Sequence, residues 1–543
     1  MTEKPDLFLR KATGLIRSWS VMDAFIYAFF SINLVTLGLY TMSQAYAFNG
    51  GMIPALIISA VLILAEIVVY SGLIAVMPRA GGDYVWQSRI LGGGVGFILA
   101  MTGWCFILWL WTPLYADMLR HIVLVPLAAV LGFKDAALSI ASSPMAWLAV
   151  CVITCAFVFL VIALGMKSYA RVQKFCFWVG NVGLLVVLGL LFAGNQGAFR
   201  SNFDAGAAQL LGLKDAYAAI EAAGTAAGAT TPMWGGSLGQ VFLLMPFLAF
   251  FNLWPNWGAT LYGEVKGSQD FRKNFLGMAS ALIVTTALAI VLLLAIDKAL
   301  GWGFYMKANA AYWSARWGLA QGAAVMPVWP YPAFLAVLSI HSTLLRVLIL
   351  AAMAMWFFGW AGTIYLSSTR ILFSASFDRL LPEAMAAIDP KTRTPFNALL
   401  FMIIPGLVVS VLFVFNIWNF SSLTLVSTLV IAVTFLGTGI AAVVLPFTKK
   451  ALYRASPLAN FRIGKLPLIS LFGLVFCAFL GFLLYEWLVD PGNLYGISYR
   501  NVPSMLFMGF LYLLAVGVYV GMRAYRRRSG IDVDKIYGEI PVE

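Results

Sequence analysis

Charge is what this sequence has least of. Asp, Glu, Lys and Arg make up 10% of its 543 residues and hydrophobic residues 62%, against about 25% and 45–50% in a soluble globular domain. That leaves too little polar surface to keep a water-facing body of this size wet. A cytosolic enzyme, a disordered chain and a nucleic-acid-binding domain are thereby excluded, and no nucleic-acid partner is expected. Histidine is nearly absent, with His121 and His341 alone, so neither a metal centre nor a histidine-based catalytic site is expected. The five cysteines, Cys105, Cys151, Cys155, Cys176 and Cys477, all lie in apolar runs. Without a CxxC or Cys/His cluster they read as reduced packing residues. No cofactor is expected and no catalytic residue is assigned. The N-terminal Glu3, Lys4, Asp6, Arg10, Lys11 and Arg17 are not followed by the short apolar stretch and small-residue cleavage site of a secretory signal, so the first apolar run is expected to stay in the chain.

Long apolar runs are what the chain has instead. A bilayer core takes about 20 mainly apolar residues in helical form, because a backbone polar group facing lipid must be satisfied within its own helix. Runs of that kind fall near 21–46, 52–76, 94–128, 145–166, 172–194, 237–263, 275–297, 333–368, 397–416, 421–447, 466–489 and 503–523. The expected class is an all-α polytopic membrane protein with twelve transmembrane helices. An even number puts both termini on one side. Of the 35 basic residues, 26 fall on that side and nine on the other, a positive-inside asymmetry that predicts cytoplasmic termini. Arg526, Arg527 and Arg528 then face anionic lipid headgroups. The segments 195–236 and 298–332 are long outer connections, part of the first predicted as a surface helix.

Two runs break the apolar rule. Ser31, Asn33, Thr36, Gly38, Thr41, Ser43 and Gln44 crowd the first helix, although each mid-membrane polar group costs free energy unless paired or wet. The sixth carries Phe250-Phe251-Asn252-Leu253-Trp254-Pro255-Asn256-Trp257-Gly258, and its proline removes a backbone donor. An interruption is predicted between Asn252 and Gly258. The two anomalies hold the same ordinal place in helices 1 to 5 and helices 6 to 10. Five being odd, the second set lies inverted relative to the first. Paired interruptions in inverted halves point to a secondary transporter's midplane site: a half-helix that starts at a break aims N–H groups at an anion, and one that ends there offers carbonyls to a cation. Together they suit a zwitterion.

The loop after the second helix, Pro78-Arg79-Ala80-Gly81-Gly82-Asp83-Tyr84, resembles the Pro-Arg-x-Gly-Gly-x-Tyr signature of the amino acid-polyamine-organocation (APC) permeases. Gly263-Glu264-Val265-Lys266-Gly267 is similar to a second block of that family. A third likeness is Arg370-Ile371-Leu372-Phe373 followed by Phe377-Asp378-Arg379-Leu380-Leu381-Pro382 and Thr394-Pro395-Phe396-Asn397-Ala398. The resemblance implies a five-plus-five inverted-repeat core (the APC fold) plus two C-terminal helices, with substrate bound between helices 1, 3, 6, 8 and 10. It places the binding stretch of helix 1 at Val35, Thr36, Leu37 and Gly38, where only the second of the family's two glycines is present. It places that of helix 6 at Phe250, Phe251, Asn252, Leu253 and Trp254, with a tryptophan where relatives have a small residue. Many relatives carry a lysine in helix 5; here Gly180 or Asn181 stands there.

The organisation expected is a cytoplasmic segment 1–20, a first repeat 21–194, an outer loop 195–236, an inverted repeat 237–447, two further helices over 448–523 and a cytoplasmic tail 524–543. Glu66, the one carboxylate well inside a run, is the candidate proton site, and Thr363, with Ser367, Ser368 and Thr369, the candidate sodium site; the coupling ion is H+ or Na+. Asp23 and Asp117 are expected near membrane interfaces, and tryptophans such as Trp19, Trp147 and Trp302 in interfacial belts. The functional reading is a plasma-membrane permease moving an amino acid or related amine by alternating access, as monomer or homodimer. An exchanger or a polyamine carrier of the same fold, a channel or sensor, and a membrane enzyme are the alternatives.

Overall fold

The computed structural model describes residues 15, 17–319, 325–490, 492 and 494–538. The N-terminal positions through 14, position 16 and the end of the tail, for which cytoplasmic placements are expected, lie outside the described residues, as do 320–324 in the second long outer connection. Among the described residues twelve helices are long and apolar enough to cross a membrane: Val21–Gln44, Met52–Val76, Gly93–Val130, Pro144–Ala163, Met166–Ala193, Leu238–Glu264, Phe271–Leu300, Thr343–Phe377, Phe396–Val414, Val426–Thr448, Leu468–Val489 and Val502–Arg528. Among the described residues strand pairing is confined to a two-residue hairpin, Arg462–Ile463 with Leu466–Pro467, and a bridge between Trp19 and Val265.

The eighth span differs from its expected 333–368. Pro332–Val337 is a separate short helix, and the span starts at Thr343, where the Ser342 hydroxyl accepts the Leu345 N–H. Both stretches are apolar, so hydropathy alone runs them together. The span also bends at Gly362, whose φ of +95° lies in the left-handed region that glycine enters without a Cβ penalty. The long outer connections hold helices at Gln196–Leu211, Ala216–Ala226 and Trp302–Arg316.

Contacts between spans come in exchanged pairs. The first span packs on the seventh and the sixth on the second; the fifth packs on the eighth and the tenth on the third. Each pair turns into the other when five helices are added to one partner and subtracted from the other, as an inverted repeat requires. The eleventh span covers the second and tenth from outside, and the twelfth touches the third. Trp19, Trp86, Trp104, Trp313, Trp356, Trp360 and Trp487 are fully buried in an interior built of aromatic contacts.

Candidate functional site

Both anomalous spans are broken, each by an identifiable local cause. The first runs as an α-helix from Val21 to Ile32 and stops at Asn33, which adopts φ 47°. Asparagine tolerates this left-handed backbone better than most residues. Its side-chain oxygen accepts from the Thr36 N–H at 2.9 Å, and its amide donates to the Trp356 carbonyl at 2.9 Å. The Asn33 carbonyl accepts from Leu37 and Gly38, so the chain resumes as a wide turn, Leu34–Gly38, before Leu39–Gln44.

In the sixth span the α-helix Leu238–Asn252 gives way at Leu253 and Trp254 to a tighter 3₁₀ segment, Pro255–Glu264. Proline supplies the reason: Pro255 has no N–H for the Phe251 carbonyl four residues back. The Leu253 carbonyl accepts no backbone bond among the described residues. The Phe250 carbonyl is taken by the Trp254 indole N–H at 2.8 Å.

Between the two breaks lies a small space lined by Ser31, Leu37, Trp111, Trp254, Trp257, Trp360, Thr363 and Ile364, with a volume of about 10 Å³, room for one water. Its walls are mostly indole. Trp111 stacks on Phe250 at 5.3 Å, and Trp254 meets both Trp111 and Trp257 edge-on. The indole N–H groups of Trp111 and Trp257 are buried without an acceptor, as is the Thr36 hydroxyl. A buried donor left unpaired is costly, and these donors stand around the place where the sequence puts an anion.

Of the residues expected at the substrate, Leu37 and Trp254 line the space and Phe250 backs it through Trp111. Val35 and Thr36 form the break beside it. Gly38 touches Phe251 instead: a Cβ there would lie 2.7 Å from the ring, so the glycine serves close helix packing. The Asn252 side chain pairs with Ser59 of the second span, its Nδ2 donating at 3.0 Å. Leu253 is buried at the end of the first half-helix. Thr363 lines the space, yet its hydroxyl meets that of Tyr115 at 3.2 Å and its carbonyl accepts from Tyr27 at 2.6 Å. Ser367 donates to the Trp257 carbonyl, while Ser368 and Thr369 bond their own helix. Glu66 lies apart, in a second buried polar cluster. At the fifth-span position where relatives carry lysine, the Gly180 carbonyl accepts from Trp356 at 3.0 Å.

The three sequence blocks converge on the side that bears the termini and close it. The Gly81 N–H donates to the Thr260 carbonyl at 2.9 Å, Arg89 pairs with Asp378 at 2.6 Å, and Arg370 pairs with Glu264 at 2.8 Å, all four charged side chains being buried. Tyr84 donates to Asp378 as well. Trp19 seals the seam. Its backbone and that of Ser18 donate to the Glu264 carbonyl at 3.1 and 2.9 Å, and its indole donates to Met166. The opposite side is open: a chamber of about 420 Å³ is lined by Tyr40, Asp117, Trp147, Tyr312 and Arg316 among others. Asp117 is there the hub of a buried cluster, bonded to Arg120, Arg316, Tyr40 and His121. Asp23 pairs with Lys174.

The first and sixth spans are broken, the spans pack by an inverted exchange of neighbours, and these three blocks close one side. The amino acid permease family model matches residues 23–514. The chain belongs to the amino acid permease family. It is a multi-pass membrane transporter, and a small-molecule substrate follows from the family. No curated protein matches it. The matched region of the permease runs from the first span into the twelfth, so it takes in both breaks and all three blocks. Trp111, Trp360 and Ile364 are wall residues that sequence reasoning did not name, and Ser31 and Trp257 were named without a place at the substrate. Tryptophan is common in this chain, and nothing local marks those that meet across the spans.

Proposed function

We propose that the protein carries an amino acid with a short side chain across the plasma membrane by alternating access, with its termini in the cytoplasm. The observation that carries this reading is the meeting of two interrupted spans around one small space ringed by indoles. The turn Leu34–Gly38 that restarts the first span, with the unpartnered indole donors of Trp111 and Trp257, suits a carboxylate. The Phe251 carbonyl, which Pro255 leaves without its helical donor, and the indole faces suit an ammonium group. The tethered Trp254 ring occupies the space that a long side chain needs. With room for only one water, ligand entry requires the indoles to move; the closed termini side and the open opposite chamber define one end state of such a cycle. The indole walls also favour a second cargo, a small organic cation, since aromatic faces attract ammonium groups; no carboxylate lines the space to set against a polyamine's several charges.

A thermal-unfolding screen of the purified protein tests the reading. A ligand at a hundredfold excess over its Kd stabilises by about 2.7 kcal/mol. Glycine or alanine is expected to raise the melting temperature and leucine or arginine to leave it unchanged. A flat response to all amino acids and small amines overturns it.

A further inference from the structure

Glu66 sits in the middle of the second span with no exposed surface, and neither carboxyl oxygen meets a hydrogen-bond partner. One turn further on, the Tyr70 hydroxyl donates to Asp83 Oδ1 at 2.6 Å, and the Thr438 hydroxyl of the tenth span donates to the same oxygen at 2.5 Å. Gln87 donates to the Thr438 oxygen at 2.7 Å, which commits the Thr438 proton to Asp83. Asp83 Oδ2 is left without a partner. From the sixth span, just past its break, Asn256 comes up beside the Tyr70 hydroxyl, with neither amide atom bonded, and the nearby Thr260 hydroxyl is unpartnered too.

This cluster is short of positive charge. Asp83 is the one charged group acting on Glu66, and the sixth, seventh, tenth and eleventh spans that pack around it bring no charged side chain to it. The titratable groups present are Glu66 and Tyr70 on one helix and Asp83 on the short helix Gly82–Ile90 that follows it. Arg89 and Arg370 are already paired with Asp378 and Glu264. Two carboxyls in a low-dielectric interior with no counter-cation cannot both ionise, and they titrate as a pair that retains a proton. Burial pushes the Asp83 carboxyl up to about 6.

We infer that Glu66 and Asp83 are the proton-coupling site of this transporter, holding one proton between them, with the Tyr70 hydroxyl fixing Asp83. The assignment rests on the carrier reading above. Asn256 and Thr260 lie on the half-helix that must shift for the termini side to open, and Thr260 is tied to the Asp83 loop through Gly81. Opening that face lets water reach Asp83. The proton then leaves a carboxyl oxygen for water on that side, and one proton from the opposite side restores the pair when the face closes. Neither carboxyl touches the substrate space, so the site sets the driving force and leaves recognition to the two breaks. The Thr363 group is an inferior place for a cation, because its oxygens are already bonded to Tyr115 and Tyr27.

The test uses the full chain in liposomes, with labelled alanine and an imposed pH gradient. Wild-type uptake is expected to rise several-fold when the side facing the chamber is acidified, and a trapped pH dye to report substrate-dependent proton entry. Glu66→Gln and Asp83→Asn should each abolish that stimulation while alanine-for-alanine exchange continues, and Tyr70→Phe should reduce it. Stimulation that persists in Glu66→Gln overturns the assignment. So does wild-type exchange with no response to the gradient, a result that leaves the carrier reading standing. Absence of exchange in the wild type removes the carrier reading and this assignment with it. If the Glu66 variant fails to fold, the wild-type dye signal decides alone: no proton entry with substrate refutes the site.

Discussion

Asn33 caps Thr36: the residue that stops the first half of the broken span accepts the Thr36 N–H through its own side chain, at 2.9 Å. Break and restart are therefore one device. Asn33→Ala removes the cap and forces a left-handed backbone on a Cβ residue, at an expected cost of about 2 kcal/mol. Asn33→Gly keeps the backbone and should cost a few tenths by the cap alone. Thermal unfolding separates them; equal losses would mean that the backbone conformation contributes nothing.

In the proposed function Trp254 limits the size of the accepted side chain. Its ring is held by the bond to the Phe250 carbonyl and stands among Trp111, Trp257 and Phe435. Trp254→Gly should extend the ligands that shift melting from alanine to leucine or phenylalanine. Unchanged selectivity would place the side-chain pocket elsewhere.

The Glu264–Arg370 pair latches the termini side. Arg370→Met leaves a buried carboxylate without its partner, which costs about 3–5 kcal/mol, whereas replacing both members by apolar residues is often neutral. Arg370→Met should therefore melt well below the wild type, and Glu264→Leu with Arg370→Met should recover most of the loss. Equal melting of the single and double variants would show that the pair is not coupled.

Stability should fall with rising pH through the acid range. Burial raises the Asp83 carboxyl from its ordinary value near 3.9 to about 6, so the folded chain holds that proton more tightly than the unfolded one. The contribution is fully present below about pH 4 and lost as pH climbs through 6, on the order of 3 kcal/mol. Asp83→Asn should flatten this slope. Asp270 and Asp389 act oppositely, held low by the backbone N–H groups of Lys273 and Thr392. Their contributions vanish only as the pH falls below about 4, outside the window. A melting temperature that rises from pH 4 to 6 in the wild type, and not in the variant, would contradict the assignment.

The spans and their breaks were legible because each has a local cause. Twenty apolar residues must be helical in lipid, and Pro255 must free the Phe251 carbonyl wherever it lies. In the first span the density of polar residues located the break, but the family's glycine pattern drew attention to Thr36 and Gly38. The turn is made at Asn33, and Gly38 instead admits the Phe251 ring. The walls were not legible. Trp111, Trp257 and Trp360 come from three spans far apart in the chain, and only their packing shows that they share a space. Asn252 illustrates the same point, since its partner Ser59 lies 193 residues away.

Counterflow tests the central claim most directly, that a carrier holds a small zwitterion between the two breaks. Liposomes bearing the protein are loaded with unlabelled alanine, diluted, and offered labelled alanine outside. Trapped alanine should accelerate uptake of the label severalfold over empty liposomes, and Asn33→Ala should depress that exchange. Uptake at one rate whether or not alanine is trapped would contradict it.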